Sequence, residues 1–66
     1  MRRLVTTPEE AKQGIERYYE VRRKAVIVGR IAERRWFFLA EILDRDGTVV
    51  DEVIIDKRTG RIRSIY

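Results

Sequence analysis

The stretch AVIVGRIAERRWFFLAEIL, residues 25–43, decides the fold. Its β-branched and aromatic residues recur with a period of two, and its length exceeds that of a single strand. We read it as two strands, residues 25–32 and 35–43, joined by a tight turn at Glu33-Arg34. If those two residues close the turn, Ile31 lies opposite Trp36, Gly29 opposite Phe38, Ile27 opposite Ala40 and Ala25 opposite Ile42. That face is wholly apolar and should receive a helix, with the Phe38 ring covering the space left by Gly29. The other face then carries Val26, Val28, Arg30, Ala32, Arg35, Phe37, Leu39, Glu41 and Leu43.

Downstream, the same alternation predicts strands at 49–56 and 61–66, with turns at Asp44-Arg45-Asp46-Gly47 and Lys57-Arg58-Thr59-Gly60. Each turn supplies the Asp and Gly that tight hairpins require. All connections are too short for a parallel crossover, so the sheet is expected to be an antiparallel meander in the order 1-2-3-4. Upstream, Thr7-Pro8-Glu9-Glu10 has the form of a helix start: Thr7 at the N-cap, Pro8 at the first helical position, and Glu10 placed to close a capping box. The spacing predicts a helix over 8–23 whose buried stripe is Ala11, Ile15, Tyr18 and either Val21 or Arg22. Gly14, inside that stripe, marks a close approach to a strand. The expected fold is a single α+β domain over residues 1–66, one N-terminal helix packed on a four-stranded antiparallel meander.

This architecture leaves one face of the sheet open. A helix of about sixteen residues is roughly 24 Å long and covers one side of a four-stranded sheet. Yet Trp36 to Ala40 is apolar at every position, and Val53-Ile54-Ile55 repeats the pattern, so both faces hold residues of the buried type. Val28, Phe37, Leu39 and Leu43, with Ile54 or Ile55, are left without cover from the chain itself. Contiguous apolar patches of this kind mark interfaces, so these residues are the candidate protein-binding surface, for a second copy of the chain or for another protein. The competing reading is that the aliphatic stems of Arg30, Arg35 and Glu41 close the patch.

Composition narrows the chemistry. The 66 residues include no Cys and no His, which removes disulfides, zinc sites and the usual bases and nucleophiles. Ser64 is the only serine; Asp44 and Asp46 flank a turn glycine, and Asp51 and Glu52 are adjacent on a strand and point to opposite faces. We therefore expect no catalytic residues, no metal, no cofactor and no small-molecule substrate. The apolar run Trp36 to Ala40 is far shorter than the roughly 20 residues that span a bilayer, and the polar residues after Met1-Arg2-Arg3-Leu4-Val5 do not suit a secretion signal. A cytoplasmic protein without membrane contact is the expectation.

The formal net charge is +4, with twelve Arg against three Lys. One account is the interleaved charge of a thermophilic or compositionally biased chain. The other is nucleic-acid binding, in which Arg30, Arg34 and Arg35 contact phosphates while Phe37 offers a stacking surface. Eleven acids dispersed through the chain weigh against a dedicated groove.

Trp36-Phe37-Phe38-Leu39-Ala40-Glu41-Ile42, followed by Val53-Ile54-Ile55-Asp56-Lys57-Arg58-Thr59-Gly60-Arg61-Ile62, resembles the PepSY family of small domains. There a β-branched strand ends in Asp, two variable residues, Thr and Gly before a short last strand. The resemblance implies a non-catalytic module that binds or restrains a protein partner.

Overall fold

The computed structural model describes residues 4–65; Arg2 and Arg3, counted above among the cations, and Tyr66, placed above in the last strand, lie outside the described residues. One helix, α1 (Pro8–Val21), precedes four strands: β1 (Ile27–Glu33), β2 (Phe37–Leu43), β3 (Val49–Asp56) and β4 (Ile62–Ser64). The strands form one antiparallel sheet in the order β1-β2-β3-β4, so the α+β meander read from the sequence is the fold. Among the described residues no helix is long and apolar enough to cross a membrane.

The helix begins where its capping residues put it. Thr7 Oγ1 accepts the Glu10 N–H at 3.1 Å, and Glu10 Oε1 accepts the Thr7 N–H at 3.1 Å. Glu10 also receives the Thr6 hydroxyl at 2.7 Å and the Thr6 N–H at 3.1 Å, and these bonds hold its carboxyl below the ordinary glutamate value. The helix stops two residues before the expected end, at Val21. Arg23 donates to the Glu20 carbonyl at 2.9 Å and Lys24 to the Tyr19 carbonyl at 3.0 Å, the two bonds of a Schellman cap. Such a cap needs a left-handed residue, and here it is Arg23, with φ of 57°. The Cβ of an arginine is strained there, where glycine would not be.

Three helical residues four apart, Ala11, Ile15 and Tyr19, form the buried stripe. Tyr19, not Tyr18, lies in the core: its ring is 6% exposed, and its hydroxyl donates to Asp51 Oδ2 of β3 at 3.1 Å. Tyr18 packs at the margin beneath the Arg22 guanidinium, 3.6 Å from its ring centroid, and Val21 is 72% exposed. Beneath the helix the sheet contributes Val28, Phe38, Ala40, Ile42, Val53 and Ile55, and Val5 closes the group from the N-terminal segment. Gly14 is the point of closest approach; a Cβ there would sit 3.1 Å from Ile55 Cδ1.

The β1–β2 register differs from the expected one in two ways. Near the turn, Ile31 pairs with Ala40, Ala32 with Leu39 and Glu33 with Phe38, a slip of four residues. The turn is therefore made by Arg35 and Trp36, with the Arg34 N–H bonded to the Phe37 carbonyl at 2.8 Å. Trp36 projects from it, 59% exposed, rather than lying under the helix. A slip by an even number preserves which face each side chain takes, so Ile31 still faces the helix. Farther along, a bulge between Val28 and Ile31 adds one residue to β1, and parity reverses beyond it. Val28 pairs with Ile42 on the helix side, and Ile27 pairs with Leu43 on the other. The sequence assigned both the opposite way.

Two outcomes follow. Replacing Arg23 with Gly removes the strain at the left-handed cap, and urea denaturation should show a gain of about 1 kcal/mol. Phe38→Ala empties the centre of the core at a typical cost of about 3–5 kcal/mol, as much as a core this small supplies, so circular dichroism should show a largely unfolded chain at 25 °C.

Candidate interaction face

The face of the sheet away from α1 is built in four rows across the strands. At the turn end, Phe37 pairs with Asp56, and the Asp56 N–H bonds the Arg61 carbonyl of the next segment. The second row is Ala32, Leu39, Ile54 and Arg63, each paired with its neighbour. The third sets Glu41 opposite Glu52, with Arg30 of the bulge on the outer strand. The fourth is Ile27, Leu43 and Val49. Ile27 is 51% and Val49 42% exposed, while Phe37, Leu39, Leu43 and Ile54 are half-buried.

Of the four residues expected to form a protein-binding surface, Phe37, Leu39 and Leu43 share this face. Val28 does not. The bulge turns it into the core, where it is 9% exposed under the helix, and no partner reaches it there. Gly29 is covered by Leu43, not by the Phe38 ring: a Cβ on Gly29 would stand 3.1 Å from Leu43 Cδ1. Ile27 and Val49 were missed, and Ile54 was left undecided against Ile55. The available signal was Gly29 itself, since a lone glycine within a strand pattern marks a bulge.

The four residues proposed for nucleic-acid contact are not gathered at one point. Arg30 stands at the bulge in the Glu41 row, two rows from Phe37, whereas Arg34 and Arg35 belong to the turn. The Arg35 guanidinium lies 5.0 Å from the Trp36 ring centroid. The cations that do approach Phe37 come from the far edge: Arg61 and Arg63, with Trp36, Phe37, Ile54, Asp56 and Thr59, line a groove of about 370 Å³.

Two acids are committed to structure. Asp56 Oδ1 accepts the N–H groups of Thr59 at 2.9 Å and Arg58 at 2.7 Å, which keep its carboxyl below the ordinary aspartate value and turn it into the β3–β4 turn. Gly60 completes that turn at φ of 74°. Asp51 receives the Tyr19 hydroxyl and, at 2.7 Å, the Ser64 hydroxyl, so helix, β3 and β4 meet at one carboxylate. Burial and the Asp51 carboxylate push the Tyr19 hydroxyl up to about 12. Among the described residues no three acidic side chains cluster as metal ligands would.

Because folding favours the protonated Tyr19, its contribution is complete below the ordinary tyrosine pKa near 10 and is lost as pH rises to about 12. Stability measured between these values should fall less steeply for Tyr19→Phe than for the parent chain. The opposite sign holds for Asp56: its contribution is present above the ordinary aspartate value of 3.8 and fades as pH drops below it. Asp56→Asn should flatten the acid limb of the stability curve.

No family model, curated protein or solved structure matches the chain.

Proposed function

We propose that this chain is a non-catalytic self-association module whose open sheet face pairs with the same face of a second copy. The observation that carries the reading is a pair of apolar bands on a face that α1 does not cover, the row Ile27–Leu43–Val49 at one end and Phe37, Leu39 and Ile54 at the other, separated by the Glu41–Glu52 row.

Geometry favours a second copy as the occupant. The face carries acids on its middle strands, Glu41 and Glu52, and arginines on its outer strands, Arg30 and Arg63. A second copy related by a two-fold axis lying in the plane of the face stacks each strand on its own counterpart, middle on middle and outer on outer. An axis across the strands, between the second and third rows, also sets Phe37 of each copy against the Ile27–Leu43–Val49 row of the other. Three strands of seven or eight residues and one of three cover about 400 Å² per face, so two faces bury roughly 800 Å² before side-chain relief is added. That lies below the roughly 1,000 Å² of specific, stable interfaces and suits a weak, reversible dimer. The PepSY-like pattern at Asp56–Gly60 points to the same class of module, one that binds protein and performs no chemistry.

Sedimentation velocity tests the reading. The parent chain should shift from monomer to dimer over the micromolar range, and Leu39→Glu should stay monomeric with its helical circular dichroism unchanged. A parent chain that remains monomeric at millimolar concentration overturns self-association and leaves the face to a different protein.

A further inference from the structure

The net charge of the chain is concentrated in one place. Residues 33–37 and 56–63 contain six cations (Arg34, Arg35, Lys57, Arg58, Arg61, Arg63) and two acids (Glu33, Asp56), a balance of +4. The remaining nine cations meet nine acids, so the whole formal charge of +4 belongs to these two segments. In a meander the β1–β2 and β3–β4 turns lie at the same end of the sheet, and here they touch: the Lys57 N–H bonds the Trp36 carbonyl at 3.1 Å. Both acids are already engaged, Glu33 by Lys57 at 2.8 Å and Asp56 by its turn amides. Arg61 and Arg63 form no ion pair with a described residue, and both line the groove beside Trp36 and Phe37.

We infer that this end of the sheet binds single-stranded nucleic acid, with a base stacked on Trp36 in the groove and the flanking phosphates held by Arg61, Arg63 and the arginines of the β1–β2 turn. Alternate residues of a strand point to one face, so Arg61 and Arg63 stand about 7 Å apart, close to the spacing of successive phosphates in an extended strand. An exposed indole flanked by guanidinium groups is a stacking platform for any base. The face of a base is available only when it is unstacked, which excludes an intact duplex. A lipid surface offers phosphates but no flat ring for the groove of about 370 Å³ beside Trp36 to receive. Of the site expected on sequence grounds, Arg34, Arg35 and Phe37 are retained, Arg30 drops out, and Trp36, Arg61 and Arg63 are added. The groove shares Phe37 and Ile54 with the face assigned to self-association, so a bound strand and a second copy exclude each other.

Trp36 is the only tryptophan, and its fluorescence reports the site directly. A ten-residue oligothymidylate is titrated into the chain at nanomolar protein, where no dimer forms, so the result is independent of self-association. Quenching of Trp36 is expected, with affinity falling as salt rises at a log–log slope of about −1.5 to −3, corresponding to two to four phosphates. Arg61→Glu with Arg63→Glu should weaken binding at least tenfold, while circular dichroism stays unchanged. For Trp36→Ala, followed by anisotropy of a labelled oligonucleotide, a similar loss is expected. Absence of quenching, a slope near zero, equal affinity for the duplex form, or equal affinity for vesicles of anionic phospholipid would each overturn the inference. So would an Arg61/Arg63 variant that binds as the parent does.

Discussion

The residue added at the β1 bulge governs how this molecule divides its apolar side chains. Strand side chains alternate with a period of two, so one extra residue exchanges the faces of everything beyond it. Val28 thereby joins Phe38, Ile42 and Ile15 in the core, and Ile27 turns outward to meet Leu43 and Val49. Without the bulge, α1 would rest on Ile27 and on a glycine, and the open face would lose its most exposed apolar row. Gly29 makes the arrangement feasible because Leu43 packs where its side chain would have been.

A chain of this size has little core to spare, and its other devices constrain the backbone instead. The capping box fixes the entry to α1, and the Schellman bonds fix its exit even though they force Arg23 into a left-handed conformation. The Val5 N–H bonds the Lys57 carbonyl at 2.8 Å, tying the segment before the helix to the β3–β4 turn. Asp51 joins Tyr19 of the helix to Ser64 of the short β4 strand, which flanking backbone bonds, Ile65 N–H to the Glu52 carbonyl at 2.8 Å and Asp56 N–H to the Arg61 carbonyl at 2.9 Å, also tie to β3. These bonds are local or lie at the rim of the core, and together they define the sheet edge on which Arg61 and Arg63 are displayed.

The open face therefore has two chemically different halves. Its far half is apolar and bordered by acids, suited to a matching surface. Its turn half is aromatic and cationic, and both nearby acids are already occupied. In our reading a protein partner and an anionic strand compete for one sheet, because Phe37 and Ile54 belong both to the groove and to the open face. Such overlap would let the oligomeric state respond to nucleic acid without any conformational change in the monomer.

The sequence by itself determined whatever depends on neighbours along the chain. The Thr7–Glu10 cap, the Asp–Gly turns, the order of elements and the meander connectivity are set by short-range hydrogen bonds and loop lengths, and all were legible before any coordinates. So was the surplus of apolar residues over what one helix covers, together with three of the four residues assigned to the open face. Tertiary structure decided the rest. Whether Trp36 or Ala40 lies opposite Ile31, whether Tyr18 or Tyr19 is buried, and which side of the sheet receives Val28 depend on how helix and strands fill a shared volume. Alternation alone is satisfied equally well by registers that differ by two or four residues. Packing under α1 breaks that tie, because the small Ala40 and the bulky Phe38 fit there and the indole of Trp36 is left outside.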